Sequence, residues 1–199
     1  VVCKRLNEEE LTSTNFSSAT GFYSQIKDSV NASIRDIGFY HDYWPYNHVQ
    51  FNQDLIAGQT RYSFPDEAKF IDFKSVRVRR NTSLNVGEAK QLEHITYSEY
   101  LDTHIDQEDE TDSTKGGVPE KVFRGQNEEY GIVPLPDKAY TITFEYFQYT
   151  NDLEAHNDVP RVPERFKYVI IDGAMYHTYM FRDNIESAQI TLKKFQSVN

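Results

Sequence analysis

Five acidic residues fall within seven positions in "DQEDETD": Asp106, Glu108, Asp109, Glu110 and Asp112. Carboxylates at that density bind Ca²⁺ when they keep the EF-hand spacing around a central glycine, and here both the spacing and the glycine are missing. No apolar residue occurs from Asp106 to Gly117. The tract therefore reads as a solvated, mobile loop near 105–117. The densest positive group is "VRVRR", where Arg77, Arg79 and Arg80 stand next to Val76 and Val78. Alternation of that kind marks the wet face of a strand, with cations available to an acidic neighbouring chain.

Other groups that carry chemistry are scattered. The six histidines, at 41, 48, 94, 104, 156 and 177, form no i, i+4 pair with a second ligand on a helix. His94 and His104 flank "ITYSEYLDT" as a weak metal candidate, and His177 reads as a hydrogen-bonded residue of a helix face. Glu128 and Glu129 with Asp137 form a weak candidate for the carboxylate pair of a glycosidase, but they lie beside turn residues. The single cysteine, Cys3, excludes an internal disulfide and a cysteine-based zinc site. No nucleotide-binding, zinc-protease or nucleophile-elbow pattern is present. The Asn-x-Ser/Thr triplets at Asn15, Asn31 and Asn81 read as chance matches.

The elements around these residues follow from spacing. "VVCKRLNEEEL" reads as the middle of a helix that a few residues precede, and it does not resemble a signal peptide. Tyr23, Ile26, Val30, Ile34 and Ile37 step by three or four, which predicts a helix over about 20–38 with Gly38 as its stop. Val49, Phe51 and Leu55 alternate with polar residues. A turn at Gly58 leads to a short strand, and Phe73, Val76 and Val78 mark another, all in an antiparallel sheet with short turns. "VFRG" and "YGIVPL" form a pair around 125–129. Tyr140, Ile142, Phe144 and Tyr146 share one face of a long strand. "PRVP" is the expected hinge back into helices. After it, Phe166, Val169, Ile170, Gly173, Ala174, His177 and Phe181 form one stripe, and Ile185, Ala188, Leu192 and Phe195 a second. Gly173 and Ala174 permit close approach of the first long helix.

The predicted class is α+β. Residues 1–40 and 159–199 make a helical bundle, and 41–158 form an inserted β-rich region. The 199 residues include 14 Tyr and 13 Phe, enough for a core and for surfaces that meet other surfaces. A net charge of −10 argues against loose binding to nucleic-acid backbones. It still allows DNA to slide past. No run of 18 apolar residues predicts a membrane span.

The ordered series "AGQTRYSFP", "KSVRVRR", "YGIVPLPDKAYTITFEYFQY" and "LEAHNDVPRVPERF" resembles the head-to-tail adaptor proteins of tailed bacteriophages, including the tail tubular protein A type of short-tailed phages. The resemblance spans residues 20–182 and rests on order and spacing. It implies a ring, commonly of twelve copies, that docks beneath the portal protein and meets a downstream tail or nozzle protein. Double-stranded DNA would pass through the lumen without specific binding. It implies no cofactor, no membrane and no catalysis, a place in the neck of the virion, and assembly in the host cytoplasm. Asp106, Glu108, Asp109, Glu110 and Asp112, the arginines 77, 79 and 80, Tyr149 and Phe195 are the expected interface or channel residues. The acidic tract departs from the family pattern. The alternatives are a cell-wall-degrading enzyme of a phage tail and a monomeric binding module.

Overall fold

The computed structural model describes residues 1–82, 85–108 and 116–197, with the side chains of 80–88 outside the description. In chain order the elements are α1 (Val2–Arg5), α2 (Phe22–Tyr40), β1 (His48–Leu55), β2 (Arg61–Ser63), β3 (Ala68–Thr82), β4 (Asn85–Gln91), β5 (Glu93–Ile95), α3 (Tyr97–Thr103), β6 (Lys121–Arg124), β7 (Glu129–Val133), β8 (Tyr140–Gln148), α4 (Lys167–Phe181) and α5 (Ile185–Gln196). The protein is α+β. It divides into a helical unit, Val1–Asn47 with Tyr149–Asn199, and a β unit, His48–Gln148.

In the helical unit, α2 buries Ile26, Ile34 and Ile37 along its apolar stripe. The helix runs through Gly38 to Tyr40, so this glycine does not stop it. Its missing side chain has another cause: a Cβ there would stand 2.8 Å from Thr150 Oγ1. The segment that enters the unit is stapled to α2 by Asn31, which accepts from Leu153 N (2.9 Å) and donates to Leu153 O (3.3 Å). Helix α4 buries Val169, Ile170, Ile171, Gly173, Ala174, Met175 and Thr178, more than one stripe of its surface. Ile171, Ala174 and Met175 pack with Val2, Cys3 and Ile26, while Val169 and Ile170 pack with Ile34, Ile37, Val162 and Phe195. Where α2 and α4 meet, Ser33 Oγ donates to Ile170 O (2.9 Å) and lies 2.2 Å from where a Cβ on Gly173 would be. Phe181, expected in the buried stripe, is 58% exposed.

The N-terminal helix is shorter than its spacing predicts. Asn7 adopts a left-handed conformation (φ 57°) just after it. Glu8 N donates to Cys3 O (3.0 Å) and Asn7 N to Lys4 O (3.2 Å). These are the two bonds of a Schellman C-cap, which satisfies the last carbonyls and turns the chain away. Leu11 therefore lies beyond a turn and outside the helix.

Among the described residues the β unit holds two four-stranded sheets, ordered β1-β8-β3-β4 and β2-β7-β6-β5. Leu55, Val76, Val78, Ile142 and Phe144 of the first pack with Tyr62, Val122, Tyr130 and Ile132 of the second. The long strand β8 places Tyr140, Ile142, Phe144 and Tyr146 inward as its alternation predicts. Asn127 and Glu128, both left-handed, make the β6–β7 turn. One pairing breaks the antiparallel expectation: β5 and β6 are parallel. A parallel pair needs a long crossover, and the connection 96–120, with α3 and the acidic tract, supplies it. Strand β3 bulges between Asp72 and Arg77, where Glu145 N donates to Ser75 Oγ (2.7 Å) and Ser75 Oγ donates to Asp72 O (2.6 Å).

Candidate interaction surfaces

The acidic tract begins as ordered structure. Residues 105–107 form a 3₁₀ turn after α3, with Asp106 exposed. Gln107 Oε1 accepts from Leu135 N (3.3 Å). Glu108 is exposed, as the loop reading expected, but its carboxylate is bonded to Arg61 Nε. Asp109, Glu110 and Asp112 lie outside the described residues.

Arg61 is the partner that sequence reasoning missed. It starts β2, opposite Gly131 of β7, and its guanidinium lies 5.7–5.9 Å from the ring centroids of Tyr97, Tyr100 and Phe123. Tyr100 and Phe123 are stacked, 3.8 Å between centroids, and both are fully buried. They stack this closely because Gly131 leaves the space: a Cβ there would meet Phe123 Cζ at 2.0 Å. Burial would raise the Glu108 carboxyl, yet Arg61 and the neighbouring Tyr100 hydroxyl together hold it below its ordinary value. Burial, then the nearby Glu108 carboxylate, raises the Tyr100 phenol. The Glu108 bond outweighs desolvation at Arg61 and raises it further still. All three groups are therefore fixed at neutral pH as one cation, one anion and one neutral phenol. The cluster anchors the crossover to the sheet and keeps its charge constant.

Arg77 and Arg79 lie on the exposed face of β3, as the alternation predicts. Arg77 Nη1 also donates to Ser75 O (2.7 Å), which pins its side chain over the bulge. The side chain of Arg80 lies outside the description. Tyr149 is 43% exposed and meets Phe39 edge-on at 6.3 Å. Phe195 was expected at an interface but is buried in the helical core with Ile34 and Val169. Ala188 and Phe195 of the α5 stripe are buried, whereas Ile185 at its start stays exposed.

The remaining candidates are engaged in structure. His177 Nε2 is 2.7 Å from Asp36 Oδ2. His94 stacks on Phe73 at 5.0 Å, and His104 caps α3. Asp137 Oδ1 accepts from the Tyr140 hydroxyl (2.6 Å), Glu128 sits in the β6–β7 turn, and Glu129 opens β7. Cys3 is buried in the helical core. Among the described residues no group of three His, Cys, Asp or Glu is placed to hold a metal ion. No helix among them is long and apolar enough to cross a membrane.

No curated protein matches the chain. The family model described as SU10 adaptor protein matches residues 2–198, and so takes in the helical unit and the β unit together. A match of that extent covers the Schellman turn at one end, both sheets and the last helix at the other, and the chain belongs to the SU10 adaptor protein family of structural bacteriophage head-to-tail adaptors.

Proposed function

We propose that the protein is one subunit of an adaptor ring that docks beneath the portal protein and joins it to the next tail component, with double-stranded DNA passing through the lumen. The observation that carries this reading is the family match over 2–198. Two features support it. A ring subunit needs a stiff body and a separate surface for neighbours, and the chain is built as two units with separate cores. Large apolar side chains also stay exposed on the helical unit, among them Tyr168 (67%), Phe181 (58%) and Ile185 (55%), the composition that protein interfaces use.

Charge fits the channel role. At −10 per chain, twelve copies would carry roughly −120, a field that keeps DNA phosphates from adhering. Asp106, which is exposed, and the acids that follow it in the tract are proposed to contribute to the lumen or to the contact with the next tail component. Arg77, Arg79 and Tyr149 are proposed to lie at contacts between proteins. Sedimentation of the purified protein with its portal tests the docking: the reading expects a complex heavier than either alone. Two unchanged boundaries at every mixing ratio would contradict it.

A further inference from the structure

The first sheet of the β unit ends in two open edges. Among the described residues, β1 pairs with β8 on one side and with no strand on the other, and β4 pairs only with β3. The β1 edge is long and regular: eight consecutive residues hold register with β8 without a bulge. At about 3.3 Å per residue it presents roughly 26 Å of backbone. Proteins that keep such an edge to themselves protect it with lysine, proline or a bulge. "HVQFNQDL" has none of these; its one acidic charge is Asp54.

We propose that the outer edge of β1 pairs with the outer edge of β4 in the next copy of this chain, so that one sheet continues from subunit to subunit. The pairing rests on the ring reading and names the contact that closes it. A ring is closed by two different surfaces of the same subunit, one for each neighbour. The two edges are such a pair, because they lie on opposite sides of one sheet. Backbone hydrogen bonding makes each edge a partner for the other without any special side-chain match.

Charge favours this occupant. Asp54, Thr141, Arg79 and Ala89 lie in one row across the sheet. The exposed face is thus acidic at the β1 edge and basic at Arg79 and Arg77, one strand in from the β4 edge. With the edges joined, Arg79 and the next copy's Asp54 stand two strands apart, about 10 Å between backbones, a gap that their side chains narrow.

Hydrogen–deuterium exchange of the full-length protein, as dissociated subunit and as assembled oligomer, tests the pairing. The expected result is that the outward amides of 48–55 exchange fast in the subunit and become protected on assembly, together with those of 85–91. An oligomer in which 48–55 exchanges as fast as in the subunit overturns the pairing and leaves the ring reading intact. A protein that stays a single subunit, with its portal present, overturns both. Protection of 48–55 only when a different tail protein is added also overturns it, since the edge then serves another partner. A charge swap gives a second reading: Asp54→Arg should reduce the oligomer, and Asp54→Arg with Arg79→Asp should restore it. If the single variant assembles like the original protein, the charge argument fails.

Discussion

Gly131 has no room for a methyl group. Its neighbour Phe123 is held by a stacked Tyr100 on its other side and cannot retreat. Gly131→Ala is expected to destabilise the β unit by about 3 kcal/mol, at the upper end for overpacking. Thermal melting of the variant checks this, and Phe123→Leu in the same chain should recover part of the loss. Glu108 gives a pH-dependent test. Its folded-state carboxyl titrates below the ordinary value of 4.5, so its contribution is present above that value and fades as the pH falls through the lowered one. Glu108→Gln should therefore cost up to about 1 kcal/mol at neutral pH, as expected for a partly exposed pair. The gap to the original protein should close in acid; a gap that stays constant from neutral to acid pH would show that the Arg61 pair is not its source. Nothing in the sequence links these two residues. They stand in separate elements, and only the parallel crossover brings the acid back onto β2.

Spacing reveals an element when one face is buried and the other wet. The stripe of α2 and the alternation of β8 were legible for that reason, and the apolar residues buried in them, Ile26, Ile34, Ile37, Tyr140, Ile142, Phe144 and Tyr146, are all among the expected ones. Helix α4 is different because its buried residues spread over more than one stripe while Tyr168, Met180 and Phe181 are exposed. Its stripe identified the helix but placed Phe181 inside and made Phe195 of α5 look spare, when Phe195 packs beside Gly173. The end of α1 was not legible, since a left-handed Asn7 depends on carbonyls left over by the turn before it. Strand β5 has three residues, too few for any period, so its parallel pairing left no trace. The α2–α4 contact makes a firm prediction. Gly173→Leu drives a side chain into Ser33 and Phe195 and should cost on the order of 1–3 kcal/mol. A melting temperature equal to that of the original protein would mean that the two helices do not meet there.

For the whole molecule, the fold class and the family were legible from residue order alone, whereas the contact surfaces were not. A surface becomes an interface through what faces it, and one chain carries no record of its neighbours' geometry. The acidic tract shows the limit. Glu108, though exposed, is tied to Arg61 of the same chain, and Asp106 is exposed. Changing Asp106, Asp109, Glu110 and Asp112 to Ser or Asn is expected to change the unfolding free energy by no more than about 0.5 kcal/mol, the usual range for charges that make no buried contact. Assembly onto the tail or DNA ejection should change instead; particles that form and infect normally would remove the tract from the account. Purified cell wall incubated with the protein should yield no products. Turnover that disappears in Glu129→Gln would revive the enzyme reading.

The central claim is that this chain works as a closed ring beneath a portal. Negative-stain electron microscopy of the purified protein mixed with its portal tests it most directly. The account predicts class averages with a ring coaxial with the portal, an open lumen, and one fixed number of subunits. Portal particles with a bare lower face beside free subunits would contradict it.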